Sequence, residues 1–182
     1  MKVFIAGSRK IARLNNVLME RLDKIIKSGH SVLVGDANGV DKIVQKYLFE
    51  QKYRDVFVFC VGSICRNNIG HWEVKNINEP SRIKNFEYFA TKDLQMAKEA
   101  DYGLMIWDSK SKGTLNNILN LLKRDKMVVV YFSTEKKFYN LSSLDEFEKL
   151  AFEHNGNHLE FKEGMARFFK NHQEEQKELD FA

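Results

Sequence analysis

Three short stretches of this chain set glycine beside hydroxyls, carboxylates or cations, the combination that suits a phosphate or another anion. The fullest is Val32-Leu33-Val34-Gly35-Asp36-Ala37-Asn38-Gly39-Val40-Asp41-Lys42. Three β-favouring residues run into a polar turn. From there apolar residues fall at Val40, Ile43, Val44, Tyr47 and Leu48, the spacing of a helix. A strand–turn–helix junction of this kind presents free backbone N–H groups at the positive end of the helix. Gly35 and Gly39 lack the Cβ that would forbid a positive φ or a close ligand. The other two stretches are Gly7-Ser8-Arg9-Lys10 and Asp108-Ser109-Lys110-Ser111-Lys112-Gly113-Thr114. Taken singly, each is also what an ordinary βα connection requires.

Apolar runs at Lys2–Ala6, 32–34, 56–61, 102–107 and 127–132 read as strands. They are continuously apolar rather than alternating, as strands buried on both faces of a parallel sheet are. Helical spacing separates them, with Leu14, Val17, Leu18, Leu22, Ile25 and Ile26 on the first helix, closed by Gly29. The pattern predicts a Rossmann-like three-layer α/β domain over residues 1–132, with about five parallel strands in the order 3-2-1-4-5. In that order the loops after the first, second and fourth strands line one crevice at the carboxyl ends of the strands, where such sheets bind ligands. All three candidate stretches are those loops.

Residues 62–86 break the rhythm, and a long irregular segment inside a small domain is more often functional than structural. A short helix is expected from Thr91, with Leu94 and Ala97 inward. Residues 133–182 read as a helical extension packed on the same domain, with Leu144, Phe147, Leu150 and Ala151 on one helix, Phe161, Met165, Phe168 and Phe169 on another, and a charged end at 173–180.

Composition narrows the classes. No apolar run among the 182 residues approaches the ~20 needed to span a membrane, and the start of the chain does not read as a signal peptide. No membrane association is expected, and the expected location is cytoplasmic. Cys60 and Cys65 are the only cysteines; Cys60, in an apolar strand, reads as a buried thiol, and no metal site is expected. The net charge of +4 suits an anionic small molecule and falls short of a dedicated nucleic-acid surface.

The sequence resembles the SLOG superfamily, which includes the DprA-type DNA-processing proteins and the LOG phosphoribohydrolases, and within it a small YspA/YpsA-related branch. Ile5-Ala6-Gly7-Ser8-Arg9 resembles the family's first-strand loop, Gly35 to Asp41 its G-x-A-x-G-[AV]-D loop, and Ala100-Asp101 with Gly113-Thr114 its A-D…G-T segment. The resemblance covers about residues 2–132 and implies a Rossmann-like fold that binds a nucleotide or nucleotide-derived ligand. It implies ligand contacts from Gly7, Ser8 and Arg9, a floor from Gly35, Ala37, Asn38 and Gly39, a ribose or capping role for Asp41, and a second phosphate cradle from Ser111, Gly113 and Thr114, with Asp36, Asp108 and Asn117 also counted among the ligand-binding residues. It also implies a homodimer.

One departure bears on chemistry. The phosphoribohydrolases carry a glutamate that works at the sugar where this chain has Asn117, and an amide can neither move a proton nor stabilise a cationic sugar as a carboxylate does. The first expectation is therefore a nucleotide-binding module, a sensor without turnover and without a resident cofactor. The alternative is a nucleoside-monophosphate N-glycosidase in which Asp36 or Asp108 serves at the anomeric carbon. DprA-like nucleic-acid binding comes third, and nucleic acid is read as an unlikely partner.

Overall fold

The computed structural model describes residues 1–78 and 86–155. The elements run β1 (Lys2–Gly7), α1 (Asn16–Lys27), β2 (Ser31–Gly35), α2 (Val40–Glu50), β3 (Val56–Val61), β4 (Glu73–Ile77), α3 (Phe86–Glu99), β5 (Tyr102–Trp107), α4 (Lys112–Leu122), β6 (Val128–Phe132), β7 (Lys137–Leu141) and α5 (Leu144–Asn155). They build one seven-stranded sheet in the order β4-β3-β2-β1-β5-β6-β7. Every pairing is parallel except β6 with β7. The five central strands stand in the order predicted, and one further strand lies at each edge.

The continuous apolar runs serve two cores at once, because successive side chains of a strand point to opposite faces. Val3 and Ile5 of β1 pack with Leu18, Leu22 and Ile25 of α1 and with Val40, Val44 and Leu48 of α2. Phe4 and Ala6 of the same strand pack with Met96 and Ala97 of α3, Leu115 and Ile118 of α4, and Phe147 of α5. These are the three layers. β1 and β5 are neighbours, in register from Val3 opposite Tyr102 to Gly7 opposite Ile106. The chain leaves β1 in one direction through α1 and reaches β5 on the other side, so the topological switch lies between these strands.

Four features depart from the sequence reading. The irregular stretch contains β4, whose residues are mostly half-exposed or exposed because it is an edge strand. α3 begins at Phe86 rather than Thr91, and its buried positions are Tyr88, Lys92, Met96 and Ala97, while Leu94 is only half-buried. Residues 137–141 add an antiparallel strand ahead of the expected helix α5. Cys60 is not a free thiol but is bonded to Cys65, with Cα atoms 5.3 Å apart. The expected helix around Phe161–Phe169 and the charged end lie outside the described residues. Among the described residues no helix is long and apolar enough to cross a membrane.

Candidate nucleotide crevice

A cavity of about 500 Å³ opens at the carboxyl ends of β1, β2 and β5. Its walls come from the β1–α1 loop (Gly7 to Lys10), the β5–α4 loop (Asp108 to Thr114), one face of α3 (Phe86, Phe89, Ala90, Asp93) and Asn117 of α4. Ala37, Asp41 and Lys92 also line it.

The β1–α1 loop is tied to its neighbours by one residue. Ser8 is 1 % exposed. Its N–H donates to the Ile106 carbonyl at 3.0 Å, and its carbonyl accepts from Val40 N–H at 3.2 Å. Its hydroxyl donates to Asp108 Oδ2 at 2.7 Å. Gly7 precedes it because a Cβ there would collide with the Ile106 carbonyl and the Val40 side chain. Ser8 thus spends its hydroxyl on the protein and leaves Arg9 and Lys10, both exposed at their own positions, at the rim.

Asp108 organises the β5–α4 loop. Its Oδ1 accepts the N–H groups of Lys110 and Ser111 at 3.1 and 2.8 Å. Burial works to raise its pKa, but the hydrogen bonds from Ser8 and from Ser111 and Lys110 outweigh it and hold the carboxyl below its ordinary value. Ser111 caps α4, accepting from Thr114 N–H at 3.4 Å and from the Thr114 hydroxyl at 3.0 Å. The N–H groups of the first helical turn have no intrahelical partner, and nothing lies within 4 Å of the position a Cβ at Gly113 would occupy. This helix start is open.

The β2–α2 loop is closed. Asp36 is 2 % exposed and accepts from Arg66 three times, from its N–H at 3.0 Å, from Nε at 2.9 Å and from Nη2. Burial opposes ionisation, yet the Arg66 hydrogen bonds and the charges of Lys92 and Arg66 hold its pKa down. Asn38 Oδ1 accepts from Asn67 at 3.2 Å. Gly39, at φ +80°, has no room for a Cβ because the Arg9 backbone lies against it. At Gly35 the space of a Cβ is taken by the Asp41 carboxylate and by Lys92 Nζ, the latter 2.6 Å away.

Beneath the crevice floor lies a charged cluster. Asp41, 6 % exposed, accepts the Ala37 N–H at 3.1 Å. Burial pushes its pKa up to about 6, against the pull of Lys92. Lys92, 3 % exposed, donates to Asp93 Oδ1. Burial disfavours its charge, but Asp93 and Asp41 more than compensate, so its pKa is raised and it stays an ammonium. Asn117, also 3 % exposed, donates Nδ2 to Asp93 Oδ2 at 3.5 Å, and its Oδ1 has no hydrogen-bond partner.

Of the residues singled out in the sequence, Gly7, Ser8, Arg9, Ala37, Asp41, Asp108, Ser111, Gly113, Thr114 and Asn117 line the cavity, while Gly35, Asp36, Asn38 and Gly39 do not. Asp36 and Asp108 were the candidates for glycosidic chemistry. Both accept hydrogen bonds from protein donors and both are held below the usual carboxylate range, which does not suit proton donation.

Sequence reasoning missed Arg66, Lys92, Asp93, Phe86 and Phe89. Arg66 lies 4.5 Å from the centroid of Phe89, which Arg9 approaches to 5.9 Å. Arg66 and Phe86 fall in the irregular stretch 62–86, which the sequence singles out only as a whole, while Phe89, Lys92 and Asp93 read as ordinary positions before or within a helix.

No family model matches the chain, and no curated protein matches it. Among solved structures the chain is similar to DNA processing protein A from Helicobacter pylori, with a TM-score of 0.57 and 16 % identity over 94 % of this chain and 81 % of that one. At that identity the likeness is one of fold, the fold of one kind of protein the sequence resembles. That structure is described by its single-stranded DNA binding mode. The reading of nucleic acid as an unlikely partner is corrected accordingly: the net charge of +4 on which it rested averages over the whole surface, whereas the exposed cations of the crevice are gathered at its rim.

Proposed function

We propose that this chain binds single-stranded nucleic acid in the crevice, as a member of the SLOG superfamily. A backbone phosphate would sit at the open start of α4, and bases would stack at the mouth. The observation that carries this reading is the rim itself. Arg9 and Lys10 on one side and Lys110 and Lys112 on the other flank the cavity, with Phe86 exposed at 54 % between solvent and the crevice wall. Cations that track a backbone, together with an aromatic platform, are the two parts of sequence-tolerant strand binding. The similar fold of a protein described by its single-stranded DNA binding supports the same reading.

The test is fluorescence anisotropy with labelled strands of roughly 16 nucleotides, the upper end of the site size of one binding fold. The logarithm of affinity should fall with that of salt by about 0.7 per phosphate engaged. The double change Lys110→Glu and Lys112→Glu should weaken binding on the order of tenfold and flatten that slope by about 1.4, twice the value for one phosphate. Unchanged affinity and slope in the folded variant would refute the reading.

A second reading, a free nucleotide held as a signal, is favoured by the cavity volume of about 500 Å³. That falls within the roughly 300–1,000 Å³ typical of small-molecule sites. A mononucleotide that binds as tightly as the strand would select it.

A further inference from the structure

The floor of the crevice is built to accept hydrogen bonds. Asn117 Oδ1 is buried without a partner, and a polar atom left so costs stability unless something fills the role. Its orientation follows from its neighbour. Nδ2 faces the Asp93 carboxylate, so turning the amide over would set oxygen against oxygen. Both side chains line the cavity, and Asp93 Oδ2, which Lys92 does not occupy, takes only the 3.5 Å bond from Asn117 Nδ2 and keeps a further lone pair. Two acceptors from different helices therefore face one space.

The wall above them is apolar and aromatic. Phe86, Phe89, Ala90 and Asp93 fall at i, i+3, i+4 and i+7 of α3 and so share a face. A flat ring inserted along that face would carry its edge down to Asp93 and Asn117. An amino group has two N–H bonds spread at a wide angle, and so can give one to each acceptor. A carbonyl oxygen at the same place would set its lone pairs against both acceptors, while the nearby Lys92 Nζ is committed to Asp93 Oδ1.

We propose that this floor is a base-reading subsite that selects nucleobases bearing an exocyclic amino group, with Asn117 Oδ1 and Asp93 accepting its two hydrogens. The proposal rests on the crevice taking a nucleotide unit, whether free or within a strand.

Cytidine and uridine monophosphates test it, since the exocyclic amino group of one is a carbonyl in the other. Their affinities are measured by calorimetry, and matched oligo-dC and oligo-dU strands are compared by anisotropy. The parent should prefer the cytosine member at least tenfold in either format. Asn117→Leu should cut the preference several-fold by weakening the cytosine ligand, with the Asp93 carboxylate keeping the remainder. Asn117→Gln, which keeps the amide, should retain more of the preference than leucine does. Thermal unfolding verifies that both variants fold.

Equal binding of the two bases by the parent would overturn the proposal, and so would a preference that Asn117→Leu leaves undiminished. Discrimination only between cytidine and deoxycytidine monophosphates would overturn it too, by assigning Asn117 to a sugar hydroxyl. The strand reading fails separately: strands that bind no better than mononucleotides would refute it while leaving the base preference standing.

Discussion

The turns that follow β2 and β5 look alike in sequence, each with glycine, short polar residues and then a helix. Folded, they are opposites. In the β2–α2 turn every polar group singled out is consumed by the protein: Asp36 by Arg66, Asn38 by Asn67, Asp41 by the Ala37 N–H. Gly35 and Gly39 are glycines because other parts of the chain occupy the space of their side chains. In the β5–α4 turn Asp108 and Ser111 shape the loop, but Gly113 faces open space and lysines flank it. A glycine-rich turn thus has two distinct uses, to admit a ligand or to admit the protein. What lies opposite the missing Cβ decides between them, and that is a property of tertiary structure.

The comparison breaks most sharply at Gly35. Gly35→Ala drives a methyl into the Asp41 carboxylate and the Lys92 ammonium, which can withdraw only at the expense of their bonds with Ala37 and Asp93. Overpacking a buried site costs about 1–3 kcal/mol, and displacing buried charges adds to it. We expect about 3 kcal/mol lost in urea unfolding. A loss no larger than that of a surface substitution would show that the turn is looser than described.

The carboxylates distinguish the turns by the sign of their pH dependence. Asp41 has its pKa raised from 3.8 to about 6 in the folded chain. The stability it contributes is complete below its unfolded pKa and is lost as pH rises from about 4 to 6. The shift corresponds to on the order of 3 kcal/mol. Asp41→Asn should therefore gain about that much relative to the parent between pH 4 and pH 7. Asp108 is shifted the other way, so its contribution is present above its ordinary pKa and is lost as pH falls. The deficit of Asp108→Asn against the parent should therefore be full at about pH 5 to 7 and narrow as pH falls below about 4. Denaturant curves at several pH values read both signs, and two variants of the same sign would erase the contrast.

The disulfide belongs to the closed side, since Cys65 leads directly into Arg66, the residue that seals Asp36. A bridge closing so short a loop constrains the unfolded chain by about 2 kcal/mol. Reduction should lower stability by that amount in the parent and not in Cys65→Ser. No difference between oxidised and reduced parent would mean that the loop is held by its hydrogen bonds alone.

How far the sequence reaches follows from what each element reports locally. Val3 to Ala6 and Leu104 to Trp107 are apolar throughout because both faces are covered, so the central strands and their order were legible. Glu73 to Ile77 and Lys137 to Leu141 sit at the edges, carry polar residues and look like loop. Asp41, Asp108 and Asn117 stood out through motif spacing and resemblance. Their environments did not, because Lys92 and Asp93 look like the solvated side of a helix until α3 is laid against the sheet. Arg66 carries no sequence signal of its own, since its partner Asp36 is 30 residues earlier in the chain.

The smallest expected effect on stability is also the most direct comparison with Gly35. Gly113 lies in the first turn of α4, where alanine has the higher helix propensity and meets no neighbour within 4 Å. Gly113→Ala should leave stability unchanged or raise it by about 0.5 kcal/mol. The same methyl projects where an anion would approach the free N–H groups of the helix start. Strand or nucleotide affinity should therefore fall several-fold while the thermal midpoint holds or rises. Stability and binding then move in opposite directions at Gly113 and together at Gly35, where the methyl disturbs the floor on which the crevice rests. A Gly113→Ala variant that binds as well as the parent would show that the open helix start is not where the phosphate sits.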